Sequence, residues 1–129
     1  SAAVDIPTAR STADLTWAMW PVDGVSRQFV NADEDGGTTT VDLAQTGAMI
    51  TASLSRRTVD TYLRIQVTAG PSLVELSEAG GSFAAVPEVA TRAAVDSTPI
   101  SWTYDAATSL LWVRIPADAA AATLRITIE

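Results

Sequence analysis

Leu110-Leu-Trp-Val-Arg-Ile115 and Thr123-Leu-Arg-Ile-Thr-Ile-Glu129 are the two stretches of sequence that decide the fold. Both alternate apolar and polar residues, so that Leu111 and Val113 point to one side of an extended chain and Trp112 to the other. Alternation with a period of two residues is typical of antiparallel strands that bury one face. The sequence therefore predicts a sheet packed against a second apolar layer.

Similar short runs recur along the whole chain, separated by turns that contain glycine, proline or aspartate. We predict an all-β fold, an antiparallel β-sandwich of eight or nine short strands. The domain is expected to span residues 15–129, and residues 1–14 to form an extended N-terminal arm or first edge strand. An alanine-rich stretch at 89–95 is compatible with one helical turn.

Composition narrows the possible partners of the domain. The chain of 129 residues is 47% apolar and 18% charged, which favours a folded protein over a disordered one. Its net charge is −7, and a partner rich in phosphate or an anionic membrane surface requires the opposite sign. No apolar run reaches the roughly 20 residues needed to cross a bilayer. We therefore expect no nucleic-acid partner and no membrane insertion.

The chain lacks histidine, cysteine and lysine, and all eight of its basic residues are arginine. Without histidine or cysteine, the usual general base, the usual nucleophilic triads and most transition-metal sites are missing. We expect a chain that is not an enzyme and has no cofactor. The exception to consider is Ca²⁺, because Asp33 and Asp35 lie in a glycine-flanked loop and carboxylate oxygens suit this cation. A solvated loop is the other interpretation of the same residues.

Four tryptophans are the remaining candidates for function. Trp17 and Trp102 are in phase with apolar neighbours and are predicted to lie in the core. Trp20 and Trp112 have the opposite phase, and Arg114 follows Trp112 on the same outward face. We predict Trp112, Trp20 and Arg114 as contacts for a glycan or a partner. For Trp112 three roles remain open: a platform for a sugar ring, packing against another domain or a crossing loop, and incidental exposure.

The arginines carry two further expectations. Arg56 and Arg57 fall between two predicted strands, so we predict a solvated hairpin tip there. Arg64 and Arg125 face outward on strands, where we expect each to pair with a nearby acid and to oppose edge-to-edge association.

Two segments resemble parts of known carbohydrate-active enzymes. Trp102-Thr-Tyr-Asp-Ala-Ala-Thr-Ser-Leu-Leu-Trp-Val-Arg-Ile-Pro116 resembles the closing hairpin of β-sandwich modules appended to bacterial glycoside hydrolases. Asn31-Ala-Asp-Glu-Asp-Gly-Gly-Thr-Thr-Thr40 is similar to the acidic-glycine hairpin in the C-terminal domains of family 31 α-glucosidases. The resemblance covers residues from about 15 to 129. It implies an accessory sandwich domain whose enzyme carries the catalytic carboxylates on a separate barrel domain.

From the residues and this resemblance together we expect a non-catalytic accessory module of an extracellular bacterial carbohydrate-active enzyme. Its role would be to brace the catalytic domain or to bind glycan. Because the chain starts without methionine and without a signal peptide, we expect a processed chain or an excised domain. The alternative is a structural protein, such as a viral or phage capsid decoration, a tail component or a surface-layer element, and an oligomer is possible in that case.

Overall fold

Two β-sheets packed face to face form the computed structural model, which describes residues 9–10, 14–32, 38–57, 59–118 and 120–128. In these ranges lie eleven strands and one short helix, α1 (Arg92–Ser97). The strands are β1 (Ala9–Arg10), β2 (Asp14–Met19), β3 (Ser26–Ala32), β4 (Thr38–Thr46), β5 (Met49–Leu54), β6 (Asp60–Gln66), β7 (Pro71–Glu78), β8 (Ala84–Ala85), β9 (Ser101–Asp105), β10 (Leu110–Ile115) and β11 (Ala122–Ile128).

The predicted β-sandwich is confirmed. Nine of the described strands have five residues or more, and β1 and β8 are additional two-residue strands. Sheet A has the strand order β1-β2-β6-β10-β9, and sheet B has the order β3-β4-β5-β11-β7-β8. Ala9 and Arg10, within the predicted arm, pair with Thr16 and Leu15 of β2.

One strand pairing differs from the prediction of a wholly antiparallel fold. β2 and β6 run parallel, with Asp14 opposite Asp60 and Met19 opposite Ile65. Between these two strands the chain passes through β3, β4 and β5 of sheet B. β3, β4 and β5 are antiparallel neighbours, and after them the chain returns to sheet A in the direction of β2. Local alternation cannot reveal this, because it is the same in parallel and antiparallel strands.

The core lies between the two sheets, on the faces that the alternation predicted. Leu111 and Val113 of β10 are fully buried, and so are Leu124 and Ile126 of β11. Trp102 is also buried, as predicted, whereas the side chain of Trp17 lies outside the described part of the structure. Other large side chains that are fully buried share this layer: Met19, Phe29, Leu43, Ile50, Leu54, Leu63, Ile65 and Ile115.

The prediction of a solvated hairpin tip is wrong for Arg57, whose exposed fraction is only 3%. Its Nε donates to the carbonyl of Pro116 at 3.1 Å, and its Nη1 donates to those of Ser55 at 2.9 Å and Ala120 at 3.4 Å. The side chain thus joins the β5–β6 connection to the β10–β11 connection. These hydrogen bonds to backbone carbonyls compensate the guanidinium for the loss of water on burial.

The two outward arginines behave differently. Arg125 donates from Nε to Glu75 Oε1 at 3.0 Å, which confirms the expected ion pair. The expectation for Arg64 is wrong within the described residues, because its guanidinium lies 5.9 Å from the centre of the Trp112 ring and forms no ion pair with a described carboxylate. Strand register explains the contrast. Arg125 lies opposite Glu75, whereas Arg64 lies opposite Trp112 and Ala18.

Among the described residues, no helix has the length and apolar character needed to cross a membrane.

Candidate functional site

The outer face of sheet A carries the predicted contact residues. On β10 this face presents Leu110, Trp112 and Arg114, and on β6 it presents Gln66, Arg64 and Tyr62 in the opposite order. Each side chain of one strand therefore lies beside a partner of the other, with Trp112 next to Arg64 and Arg114 next to Tyr62. This arrangement brings two aromatic rings and two guanidinium groups together on one surface.

Helix α1 covers one half of this face. Thr91 caps the helix, because its hydroxyl oxygen accepts a hydrogen bond from the Ala94 N–H at 3.1 Å. Val95 points to the sheet and is fully buried. The helix lies in the alanine-rich region where the sequence was compatible with a helical turn, and extends two residues beyond Val95.

Arg114 holds the helix in place. Its Nη1 donates to the carbonyls of Val95 at 3.3 Å and Asp96 at 2.6 Å, and its Nη2 donates to Asp60 Oδ2 at 2.8 Å. One guanidinium therefore connects β10, β6 and the C-terminal end of α1. Through these hydrogen bonds Arg114 positions the helix. A glycan contact at Arg114 remains a prediction.

Trp112 lies beneath an arginine from the helix. The Arg92 guanidinium is 4.4 Å from the centre of the Trp112 ring and 4.7 Å from that of Tyr62. Asp96 forms an ion pair with Arg92 and accepts a hydrogen bond from the Tyr62 hydroxyl at 2.9 Å. Trp112 thus packs against a segment that crosses the sheet, which is one of the three roles that the sequence left open. A sugar ring could stack on Trp112 only where Arg92 leaves the ring uncovered.

The carboxylates of this cluster are held in their ionised form. Hydrogen bonding from Arg114 lowers the pKa of Asp60, and hydrogen bonding from Arg92 lowers the pKa of Asp96. Burial, together with the hydrogen bond to Asp96, raises the pKa of Tyr62. A general acid needs the opposite shift on a carboxyl group, so these groups suit a structural network better than proton transfer.

These pKa shifts predict how stability depends on pH. Because the folded-state pKa of Asp60 lies below its unfolded value of about 3.9, its contribution is complete above that value and is lost as the pH falls through the folded pKa. We expect Asp60→Asn to lower the free energy of unfolding by about 1 kcal/mol at neutral pH. As the pH falls, the free energy of unfolding of this variant should decrease less than that of the wild type. Acid titration followed by circular dichroism measures both effects.

The control for this titration is Asp42→Asn. Asp42 is an exposed carboxylate on sheet B that accepts a hydrogen bond from the Gln28 amide and pairs with no described guanidinium. An equal change of slope in both variants would contradict the assignment to the Arg114 ion pair.

Trp20 lies just beyond β2, next to the half of the sheet A face that α1 does not cover. Its exposed fraction is 48%. Beside it lies a cavity of about 180 Å³, lined by Ala18, Met19, Trp20, Arg64, Gln66 and Leu110. Trp20, one of the three predicted contact residues, therefore lines an open cavity.

The outer face of sheet B has a second, larger depression of about 370 Å³, lined by Ser26, Arg27, Gln28, Asp42, Leu43, Ala44, Thr51 and Ser53. Gln28 donates to Asp42 at 2.9 Å across strands β3 and β4. Its lining contains no aromatic side chain.

The predicted calcium ligands Asp33 and Asp35 lie outside the described residues. In the part of the chain that the structure does describe, no group of three or more acidic side chains is placed to hold a metal ion.

Sequence reasoning missed the residues that organise the sheet A face, above all Arg92, Tyr62 and Asp96. One signal was present, since Arg92 and Asp96 are four residues apart in a region compatible with a helix, and such pairs face each other. Nothing local indicates that this helix would lie on the strand that carries Trp112.

Several solved structures contain a region with the same fold as this chain. The cycloalternan-forming enzyme of Listeria monocytogenes, in complex with a pentasaccharide substrate, matches 88% of this chain with a TM-score of 0.74 and 18% identity. A family 31 dextranase of Flavobacterium johnsoniae complexed with glucose matches 88% with a TM-score of 0.72 and 16% identity. The chain therefore shares its fold with a small part of each of these two enzymes. The resemblance predicted from the two sequence segments is confirmed at this level.

The same fold also matches the α-1,4-glucan lyase of Gracilariopsis lemaneiformis, with a TM-score of 0.69 and 20% identity over 88% of this chain. The chain spans 10% of the cycloalternan-forming enzyme, 16% of the dextranase and 13% of the lyase. No protein-family model matches the sequence, and no curated protein matches it significantly.

Proposed function

We propose that this chain is a non-catalytic accessory domain of an extracellular bacterial carbohydrate-active enzyme, and that it braces an adjoining catalytic domain. The accessory-domain fold supports this, because each matched enzyme contains it as a small part of a longer chain. The ion-paired carboxylates of the sheet A face support the absence of catalysis. The observation that carries the bracing role is an apolar turn at one end of the sandwich.

This docking turn, residues 21–25, connects β2 of sheet A to β3 of sheet B. Val22 and Val25 are 44% and 38% exposed, and they are two of the four large apolar side chains that are exposed among the described residues. The turn precedes β3 and lies against the β4–β5 hairpin, so both valines are available at the end of the domain. Exposed apolar side chains gathered in this way favour contact with another protein surface.

Hydrogen bonds keep the docking turn in one conformation. The Val25 N–H donates to the Val22 carbonyl at 3.0 Å, and the Gly24 N–H donates to Gln45 at 2.8 Å. Asp23 Oδ1 accepts from the Gly47 N–H at 2.8 Å. A turn that is already ordered loses little conformational entropy when a partner covers it. An adjoining domain can therefore cover the two valines with little loss of conformational entropy.

The test uses the full polypeptide encoded by the parent gene and the isolated 129-residue chain side by side. The double variant Val22→Asp, Val25→Asp is expected to lower the melting temperature of the catalytic domain by about 5 °C, because two buried apolar contacts are lost. The melting temperature of the isolated chain should stay nearly unchanged, since both side chains are exposed there. Differential scanning calorimetry measures both.

The control is Leu73→Asp, which places one carboxylate on another exposed apolar residue, in β7 of sheet B, and is compared with each single variant, Val22→Asp and Val25→Asp. The bracing role would be refuted if the parent polypeptide contains no catalytic domain. It would also be refuted if the double variant leaves the melting temperature of the catalytic domain unchanged. Light scattering on the isolated chain tests the alternative role in assembly, for which a stable oligomer is expected instead of a monomer.

A further inference from the structure

We propose that the half of the sheet A face that α1 does not cover binds a neutral saccharide, with one pyranose ring stacked on Trp20 and its hydroxyl groups bonded by Arg64. This saccharide site consists of Trp20, Arg64, Gln66, Ala18 and Leu110 around the cavity of about 180 Å³. The inference deepens the proposed function by naming a ligand class. None of its residues belongs to the docking turn, although Gln66 lines a neighbouring cavity together with Pro21 and Asp23 of that turn.

The first argument is the position of Trp20. An indole that is 48% exposed leaves much of its apolar surface in water, which is unfavourable unless a ligand covers it. The carbon-bound hydrogens of a pyranose ring form an apolar face that can lie flat on such a ring. Leu110, which is partly exposed, adds apolar surface beside the indole, and Ala18 lies beneath at 2% exposure.

The second argument is the state of Arg64. Arg64 forms no ion pair with a described carboxylate, and its guanidinium rests at 5.9 Å from the centre of the Trp112 ring. A guanidinium has five N–H donors, and those that no protein group uses are available to ligand oxygens. Trp112 acts here as a positioning residue that holds Arg64 at the edge of the cavity.

The third argument concerns Gln66. Its Nε2 donates to the carbonyls of Thr108 at 3.2 Å and Ser109 at 3.1 Å, which fixes the orientation of the amide. The amide oxygen is then an acceptor in a fixed direction. Arg64 and Gln66 are neighbours on the same face of β6 and line the same cavity, so they offer donors and an acceptor side by side. This combination matches the mixed donor and acceptor groups of a sugar.

Charge and size select the ligand class. The chain carries a net charge of −7, so a polyanionic glycan would be repelled over the wider surface. The cavity volume corresponds to about six water molecules in the liquid, which is the order of a single sugar unit. The site therefore suits one residue of a neutral glycan chain that continues over the surface.

The experiment titrates the isolated chain with maltoheptaose, isomaltoheptaose and an oligogalacturonate, using ¹H–¹⁵N spectra in which each tryptophan gives a separate indole signal. Binding of at least one of the two neutral probes, with a shift of the Trp20 indole signal, is expected. Trp20→Ala should weaken this binding at least about tenfold, and Arg64→Gln about three- to tenfold. Trp20→Phe should remain within about threefold of the wild type because it keeps a ring.

Two control variants separate this site from other surfaces. Gln28→Ala alters the depression on sheet B, and Val22→Asp alters the docking turn; both should bind like the wild type. The proposal is overturned if neither neutral probe binds, if the oligogalacturonate binds more tightly than both, or if Trp20→Ala binds as well as the wild type. Failure here would leave the bracing role intact, because that role is measured on the full polypeptide.

Discussion

Replacing Trp102 with alanine is expected to lower the free energy of unfolding by about 3–5 kcal/mol. Trp102 is 6% exposed and belongs to the core between the sheets. Its removal leaves a large cavity, and the surrounding strands are too constrained to fill it. Urea denaturation of the isolated chain, followed by circular dichroism, gives the measurement.

A second loss accompanies the cavity. The indole Nε1–H donates to the carbonyl of Val86 at 3.0 Å, and the Trp102 backbone bonds to Pro87 and Val89. The chain between β8 and α1 is thereby attached to the edge of sheet A. Trp102→Phe keeps most of the volume and loses the N–H donor, so it should cost less, about 1–3 kcal/mol. If the alanine variant costs no more than the phenylalanine variant, filling of the core is not the main role of this residue.

Arg57→Ala is expected to lower the free energy of unfolding by about 3 kcal/mol, because three carbonyl groups lose a charged donor at a buried position. Burial lowers the pKa of Arg57, and the charges of Asp118 and Glu78 oppose this effect. The backbones of Arg57 and Asp118 also exchange two hydrogen bonds, at 2.8 and 3.0 Å. These backbone bonds should survive the substitution, so the loss measures the side chain.

Arg57→Lys separates geometry from charge. A lysine keeps the positive charge but lacks the planar fork that reaches three carbonyls at once. We expect it to recover less than half of the stability lost in Arg57→Ala. The control is Arg27→Ala, at a partly exposed position in the edge strand β3, for which a change within about 0.5 kcal/mol is expected. Full recovery by lysine would show that charge alone explains the burial.

The strands of the sandwich could be predicted because burial on one face leaves a direct record in the sequence. Leu111, Val113, Leu124 and Ile126 alternate with polar residues and are fully buried. The candidate site could not be predicted in the same way. Tyr62 has an outward position on β6 and is nevertheless buried, because α1 covers it from a distant part of the chain.

The partners of the arginines could not be predicted from the local sequence. Arg64 and Arg125 look alike in the sequence, yet Glu75 lies opposite one of them and Trp112 opposite the other. Register between strands far apart in the chain decides this, and alternation does not specify it. Arg57 was misjudged for the same reason, because the carbonyls of Pro116 and Ala120 come from a distant connection.

The parallel pairing of β2 with β6 also bears on how the chain assembles as it leaves the ribosome. β2 is made early, but its main partner follows only after β3, β4 and β5 have been synthesised. Those three strands are neighbours both in sequence and in space, so they close short loops and can pair first. The β3–β4–β5 part of sheet B is therefore expected to form first. β2, whose only earlier partner among the described strands is the two-residue β1, gains its parallel partner when β6 emerges.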